Sequence, residues 1–444
     1  MYHADCVVIG AGQAGLAMSR CLTDRGVGHV VLERGCVAER WRSERWASLR
    51  LLTPNWQTRL PGFSYDGADP DGYMTMPEVV AFFERYAASF AAPVHSGAGV
   101  TRVTRDEHGF FEVETSKGAW RASSVVVATG YSDLPHVPRL SGRVPTGIAQ
   151  VVPTTYRRPE DLRPGGVLVV GASASGIQIA DELHRSGRDV TIAVGHHTRL
   201  PRMYRGRDIL WWLDRMGVFD EAADRVYSVE VSRDQPSLQL IGTPDRRTLD
   251  LRGLRARGVR VVGRLLDIAR TVARFDDNLV ATTAAADIKL ASLLRRVDAF
   301  ISASGISAPP ADEFEPHCLG FADADTELDL RKAGVCTVVW ATGFRRHYPW
   351  LRVPVLDERG EIRHTGGVTP VPGLYVIGLH FLRRRNSSFI DGVGADAQAL
   401  SAHLTQFLQQ GTVPMTFVKG DSPLIRIDSG DCPPLQAVHV GAAS

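Results

Sequence analysis

Two glycine clusters carry the first chemistry in this chain of 444 residues. Gly10, Gly12 and Gly15 form a Gly-x-Gly-x-x-Gly turn, with Gln13 and Ala14 inside it, directly after the apolar run Cys6-Val7-Val8-Ile9. Gly171, Ser173 and Gly176 repeat the spacing, with Ala174 and Ser175 between them, after Val167-Leu168-Val169-Val170. In such a turn the first glycine permits the bend and the second lets the backbone approach a pyrophosphate. The third lets the following helix pack close to its strand. That helix presents unpaired N–H groups and the positive end of its dipole to phosphate. Ser173, in the middle place, tolerates a nucleotide but forbids the closest backbone approach. Each turn points to a dinucleotide.

The residue that meets the adenosine ribose gives a second signal. Val30-Val31-Leu32 ends in Glu33, eighteen residues after Gly15, close to where a ribose-binding carboxylate belongs. The counterpart strand, Val190 to Val194, ends in no carboxylate. Gly195-His196-His197-Thr198-Arg199 follows it, and then come Arg202, Arg205 and Arg207. An arginine there suits a 2′-phosphate, which a carboxylate would repel. Acidic in the first unit and basic in the second, the pair predicts FAD and NADPH on one chain, with hydride passing from nicotinamide to flavin.

These groups need elements to position them. Leu16, Met18, Cys21 and Leu22 read as the buried stripe of a helix after the first turn, with Gly26 at its end. Ile177, Ala180 and Leu183, with Gly187, do the same after the second. Thr75 and Glu78 form a capping box for a helix whose face is Val79, Phe83, Tyr86 and Phe90. Residues 100–127 alternate like a β-meander ending in Val125-Val126-Val127, followed by Ala128-Thr129-Gly130. Thr337 to Trp340, followed by Ala341-Thr342-Gly343, echoes that ending. Leu374 to Gly378 reads as another buried strand. Asn386 to Gly394 leads into a last helix bearing Leu400 and Leu404, whose N-terminus suits the flavin pyrimidine or ribityl chain.

Between them, about residues 205–330, lies an interrupted region. It holds a Trp-rich helix (Ile209 to Leu213), a strand (Val259 to Val262), a helix with Ile288, Leu290, Leu294, Val297 and Ile301 on one face, and a Pro/acidic linker from Ala308 to Pro316. Trp211 and Trp212 read as packing. The expected fold is α/β with two Rossmann-like dinucleotide-binding domains. The FAD domain is discontinuous (1–160 and 337–444), and the NADPH domain (161–336) is inserted in it and carries an α/β insertion at about 205–330.

With 51 basic and 49 acidic side chains the net charge is +2, which gives no reason to expect nucleic acid. No apolar run approaches the roughly 20 residues of a membrane span, and the first strand leaves no room for a leader peptide. Six scattered cysteines (Cys6, Cys21, Cys36, Cys318, Cys336, Cys432) form no C-x-x-C or C-x-x-x-x-C. They predict a reducing cytoplasm and no dithiol chemistry. No spacing suggests a metal site; the His196-His197 pair is a poor one.

The order Gly-Ala-Gly-x-Ala-Gly (10–15), Trp41-Arg42, Ser-Leu-Arg-Leu-x-Thr-Pro (48–54), Ala-Thr-Gly-Tyr (128–131), Thr-Tyr-Arg (155–157), Gly-x-Ser-x-Ser-Gly (171–176) and Ala-Thr-Gly-Phe (341–344) resembles the flavin-containing monooxygenase superfamily. More narrowly the chain is similar to its bacterial CzcO-like branch, which includes chains with the loop Thr53 to Gln57. The resemblance implies a C4a-hydroperoxyflavin that puts one oxygen atom of O₂ on a small organic substrate, at N, S or a carbonyl. The alternative on the same fold is an NADPH oxidase or an NADPH:acceptor oxidoreductase. Carried over to this sequence, Gly10, Gly12, Gly15, Glu33, Trp41 and Thr129 serve FAD, and Gln13, Ala14, Arg34, Arg40, Thr53, Val103, Ala128, Gly130 and Asp391 complete that set. Gly171, Ser173, Ser175, Gly176 and Arg199 serve NADPH, together with Tyr156, Ala174, His197, Ala341, Thr342 and Gly343. The family's His before the Tyr-Arg pair falls at Val152 and its active-site Asn near Leu52. Asn55 and Gln57 are the candidate catalytic donors in their place.

Overall fold

The computed structural model describes residues 1–410 apart from 234, 318 and 319. Cys318, Cys432 and residues 411–444 of the expected FAD unit lie outside the described residues.

The first half is built on β1 (Tyr2–Ile9), α1 (Gln13–Asp24), β2 (His29–Leu32), α2 (Met76–Ser89), β3 (Val94–His95), β4 (Val100–Arg105), β5 (Phe111–Thr115) and β6 (Gly118–Val127). Its sheet runs β3-β2-β1-β6-β5-β4, and Leu374–Val376 also pairs with β6. The pairs β1–β2, β1–β6 and β2–β3 are parallel, while β4, β5 and β6 form the expected antiparallel meander. Cys6, Val7, Val8, Val125 and Val126 are wholly buried, because both faces of a parallel sheet are covered and its strands read as unbroken apolar runs. Glu78 closes the N-terminus of α2 by accepting the Thr75 N–H at 2.7 Å.

The second half adds β7 (Ala149–Val151), β8 (Gly166–Val170), α3 (Ala174–Arg185), β9 (Val190–Ala193), β10 (Thr198–Arg199), β11 (Leu238–Gln239), β12 (Arg260–Val262), α4 (Leu279–Ser304) and β13 (Val335–Trp340). Five of these strands form one sheet in the order β7-β13-β8-β9-β12, all parallel, and β10 pairs with β11. The chain then returns to the first sheet with β14 (Leu374–Val376) and ends its described part in α5 (Val393–Gln410).

Two strands near the expected boundaries at 160 and 337 pair within the second sheet. β7 and β13 hydrogen-bond into the second sheet, with β13 between β7 and β8. The echo between residues 125–130 and 337–343 is therefore a repeat across the halves. β6 lies beside β1 and is followed by Ala128, and β13 lies beside β8 and is followed by Ala341. β12, expected within the insertion, is the edge strand of that same sheet. The long helix also differs: α4 starts well before Ile288, and Ile288 faces solvent while Leu290, Val297 and Ile301 are buried. Trp212 is wholly buried, with its Nε1 donating to the Tyr204 carbonyl at 2.8 Å, as packing requires. Among the described residues, no helix is long and apolar enough to cross a membrane.

Candidate functional site

The two glycine turns have the same construction. A Cβ on Gly10 would come within 2.8 Å of the Ala128 carbonyl oxygen, and one on Gly171 within 2.3 Å of the Ala341 carbonyl oxygen. A Cβ on Gly15 would come within 1.8 Å of the Gly10 carbonyl oxygen, and one on Gly176 within 1.9 Å of that of Gly171. Gly10 and Gly171 have φ of +107° and +103°, a region open to glycine and strained for other residues. The middle residues, Gly12 and Ser173, share an extended conformation at the N-caps of α1 and α3. Neither helix has a side-chain cap or an acidic residue in its first turn, so their N–H groups stay available to phosphate. A Cβ on Gly12 would meet nothing within 4 Å. That open space in front of an uncapped helix is the cradle a pyrophosphate needs.

Glu33, at the end of β2, is buried. Its Oε2 accepts the Ala11 N–H at 2.8 Å and its Oε1 accepts the Gly35 N–H at 3.0 Å. A carboxylate has about four acceptor sites, so two remain for ribose hydroxyls. Gln13 reaches from α1 to Ser388 with its Nε2 (3.4 Å to the carbonyl), and its Oε1 accepts the Trp41 Nε1–H at 3.2 Å. That chain of bonds ties the first turn to residues preceding α5. The remaining candidates separate. Arg34 pairs with Glu44 at 2.6 Å at the surface, and Arg40 is taken by Asp133 and the Ser132 carbonyl. Val103 is a correction: its side chain is core, and its N–H and C=O bond Trp350 and Arg352. Asp391 accepts from Arg59 through both its oxygens, at 2.7 and 2.8 Å. Thr53 and Thr129 lie half-buried at the two loops, and Gly130 takes a positive φ beyond them.

The structure splits the two catalytic candidates. Asn55 serves its own loop: its Nδ2 donates to the Asp69 carbonyl and its Oδ1 accepts the Met74 N–H, both at 2.9 Å. Gln57 is 1% exposed, yet neither its Nε2 nor its Oε1 has a partner. Thr58 Oγ1, Asn386 Oδ1 and both Asp396 oxygens are likewise buried without one. These residues belong to two segments in contact. Arg59 is bonded to Asp391, and a Cβ on Gly394 would sit 3.2 Å from Pro61. Burial is the main influence on the Asp396 carboxyl and pushes it above the usual range. Orphaned buried polar atoms are costly at about 1–3 kcal/mol each. Asp396 lies in the first turn of α5, and the segment carrying Gln57 and Thr58 packs beside that turn. Sequence motifs pointed to Gln57 but not to Thr58, Asn386 or Asp396.

In the second half several expected ligands are occupied. Arg199 donates to Asp287 Oδ1 at 2.7 Å, to His317 Nε2 at 2.9 Å and to the Glu315 carbonyl at 3.1 Å. Tyr156 is buried and its hydroxyl bonds Glu182 at 2.8 Å, near the far end of α3 from the glycine turn. It braces that helix rather than a nucleotide. Burial lowers the pKa of His197, whose Nδ1 bonds the Gly195 carbonyl at 3.0 Å. The Thr342 hydroxyl is given to the His136 carbonyl, which leaves Ala174, Ser175, Ala341 and Gly343 as the backbone of the turn. An unforeseen residue is Gln239 on β11. Wholly buried, it donates to the Ala172 carbonyl of the turn at 2.6 Å and leaves its Oε1 without a partner. It sits in the interrupted region, where no motif marks it.

Arg202 joins the halves. Its side chain is 1% exposed. It donates to the Leu52 carbonyl at 2.8 Å and to both Asp208 oxygens at 2.6 Å, and lies over the Tyr73 ring. Tyr73 completes the knot by donating to Asp208 at 2.7 Å. The loop after Trp41 is thereby fixed against the second half.

Comparison with known proteins agrees with this geometry. A family model described as pyridine nucleotide-disulphide oxidoreductase matches residues 7–207. A probable indole-3-pyruvate monooxygenase of Arabidopsis thaliana, YUCCA1, is 33% identical over 205 residues, which is 45% of this chain and 49% of that protein. Among solved structures, a flavin-containing monooxygenase from Stenotrophomonas maltophilia aligns with a TM-score of 0.63 at 20% identity, over 92% of this chain and 99% of that one. It shares the fold. An uncharacterized CzcO-like oxidoreductase of Geobacillus kaustophilus is 32% identical over 404 residues, covering 90% of this chain and 98% of the relative. Likeness sustained from end to end of that relative, on a fold with two dinucleotide turns, shows that this chain belongs to the CzcO-like oxidoreductases.

Proposed function

We propose that the chain is an FAD-dependent, NADPH-using monooxygenase that transfers one atom of O₂ to a small organic substrate at N, S or a carbonyl. The observation that carries the reading is the doubled turn, Gly10/Gly15/Ala128 and Gly171/Gly176/Ala341, each at an uncapped helix N-terminus. Likeness to a probable indole-3-pyruvate monooxygenase supports oxygen transfer. Disulfide reduction has no support in the cysteine spacing, which offers no C-x-x-C or C-x-x-x-x-C. Bound FAD would supply hydride acceptance from nicotinamide and electron transfer to O₂.

The chain's own part is to hold and to seal. Glu33 and the α1 N-terminus take the adenosine diphosphate end of FAD, and the α3 N-terminus takes the pyrophosphate of NADPH. Gln57 offers a carbonyl and an amide, walled in beside α5, to the polar edge of the ring. The Arg202–Asp208–Tyr73 knot keeps the loop from Leu51 to Gln57 closed on the second half, which excludes water where reduced oxygen would otherwise be lost as peroxide.

The second reading is an NADPH oxidase or NADPH:acceptor oxidoreductase. Leu52 favours it: this residue stands where the family resemblance places a hydrogen-bonding Asn, and it packs against the apolar cluster of Trp212. Anaerobic titration of the FAD-loaded protein tests the shared core of both readings. NADPH should bleach the flavin absorbance at one equivalent; failure of both NADPH and NADH to do so would leave a flavoprotein without this activity.

A further inference from the structure

We propose that Arg264 is the cation that reads the 2′-phosphate of NADPH. The proposal rests on the NADPH reading above and names the residue responsible for that preference. Three of the four arginines that the sequence offers for the task are held by carboxylates. Arg199 is held by Asp287, Arg202 by Asp208, and Arg205 by Asp298 and the Pro309 carbonyl. Arg207 stacks over Trp211. His197 is buried, and that burial lowers its pKa, which disfavours its charged form.

A ligand of an open parallel sheet lies beyond the C-terminal ends of its strands, and the adenosine ribose meets the residues just after the second strand of the unit. Here that strand is β9, followed by Gly195. β12 is its hydrogen-bonded neighbour, parallel and with Ala193 opposite Val262, so both strands end at the same edge. Arg264 comes two residues after Val262. The corner is fixed from both sides: the Val194 N–H donates to the Val262 carbonyl at 3.0 Å, and the Asp276 N–H donates to the Arg264 carbonyl at 2.8 Å. Gly263 is required there, since a Cβ would come 1.9 Å from the Asp276 carbonyl oxygen.

The Arg264 stem lies over Gly195, with Cγ and Cδ 3.9 Å from where a Gly195 Cβ would stand. Its guanidinium is left outside. The side chain is 63% exposed, and its ion pair with Asp276 spans 3.6 Å, against 2.6 to 2.8 Å for Arg199, Arg202 and Arg205. A planar donor fork beside the first residues after β9, held by a long and solvated pair, is suited to bidentate capture of a phosphate. Arg260, on the same strand, starts it rather than ends it and pairs with Asp325.

The test uses calorimetric titration of the FAD-loaded protein with adenosine 2′,5′-bisphosphate and with 5′-AMP. The wild-type chain should bind the bisphosphate about 10-fold or more tightly, the size expected of a hydrogen bond to a charged group. Arg264→Ala should remove most of that preference with 5′-AMP affinity and melting temperature unchanged, and Arg264→Lys should keep part of it. In flavin reduction, Arg264→Ala should raise the NADPH concentration needed for half-maximal rate and leave that for NADH unmoved. A bisphosphate preference that survives Arg264→Ala, or that is absent from the wild type, overturns the assignment. Neither fragment carries a nicotinamide, so failed flavin reduction or oxygen transfer would sink the proposed function without touching this result.

Discussion

Arg199 Nε donates to Asp287 Oδ1 at 2.7 Å in a place where the two side chains are only 10% and 6% exposed. The second Asp287 oxygen accepts the His317 N–H at 2.8 Å, and the Phe314 ring lies beside the guanidinium. The end of β10, which reads in sequence as a phosphate contact, is the point where α4 docks on the second half. Removing one partner strands a buried charge, at a cost of about 3–5 kcal/mol. Arg199→Ala and Asp287→Ala should each lower the urea-unfolding free energy by that order. The ratio of NADPH to NADH efficiency in flavin reduction should stay unchanged in the surviving folded protein. A shift in that ratio from Arg199→Ala without loss of stability would restore the phosphate role.

Asn55 and Gln57 sit two residues apart with opposite expectations. Asn55→Ala removes its two side-chain bonds to Asp69 and Met74 and should cost roughly 1–3 kcal/mol. Gln57→Met keeps the volume and deletes an amide that has no protein partner, so the FAD-free protein should unfold at equal or slightly higher urea. FAD affinity and the rate of flavin reoxidation should fall instead. Equal effects of the two substitutions on stability would contradict the split.

The glycine turn makes a similar contrast. Gly12→Ala adds a methyl to open space at an ordinary negative φ, whereas Gly15→Ala drives one into the Gly10 carbonyl. Soluble, folded protein with weakened FAD binding is expected from the first, and loss of folded protein from the second. Circular dichroism and flavin content after gel filtration separate the two outcomes.

Much of this was legible in the chain before any coordinates. Cys6 to Gly15 and Val167 to Gly176 carry their strand, bend and helix locally, because parallel strands covered on both faces need unbroken apolar runs and the close approach at Gly15 and Gly176 excludes a side chain. The capping box at Thr75 and Glu78 was local too. What sequence did not reveal depended on partners far along the chain. Arg199 looks free until α4 brings Asp287 to it, and Tyr156 looks available until Glu182 does the same. β13 carries the Ala-Thr-Gly ending of β6, but only hydrogen bonding to β8 says which sheet it joins. Gln239 stands in no motif, and its meaning comes from the 2.6 Å bond to Ala172.

Acid should find a particular weakness. His364 and His380 have pKa values lowered to about 4, chiefly by burial and further by the nearby Arg233 and Arg346. Above pH 6.5 both are neutral in the folded and unfolded chains, and their contribution to stability is fully present. Between about 6.5 and 4 the unfolded chain takes up protons that the folded chain refuses, so stability falls as pH falls. The slope approaches about 1.4 kcal/mol per pH unit for each histidine. Urea midpoints measured across that window should flatten in His380→Asn relative to the wild type. An unchanged slope would remove His380 from the account.

The central claim is that oxygen reaches an organic product, and its fate can be followed directly. FAD-loaded protein would be given NADPH and ¹⁸O₂ with a panel of thioethers, amines, ketones and 2-oxo acids, and both labelled product and hydrogen peroxide would be measured per NADPH consumed. The account predicts that at least one class gains a single ¹⁸O atom while peroxide drops well below one equivalent. Stoichiometric peroxide with every class, and no labelled product, would contradict it and give the chain to the oxidase reading that Leu52 favours.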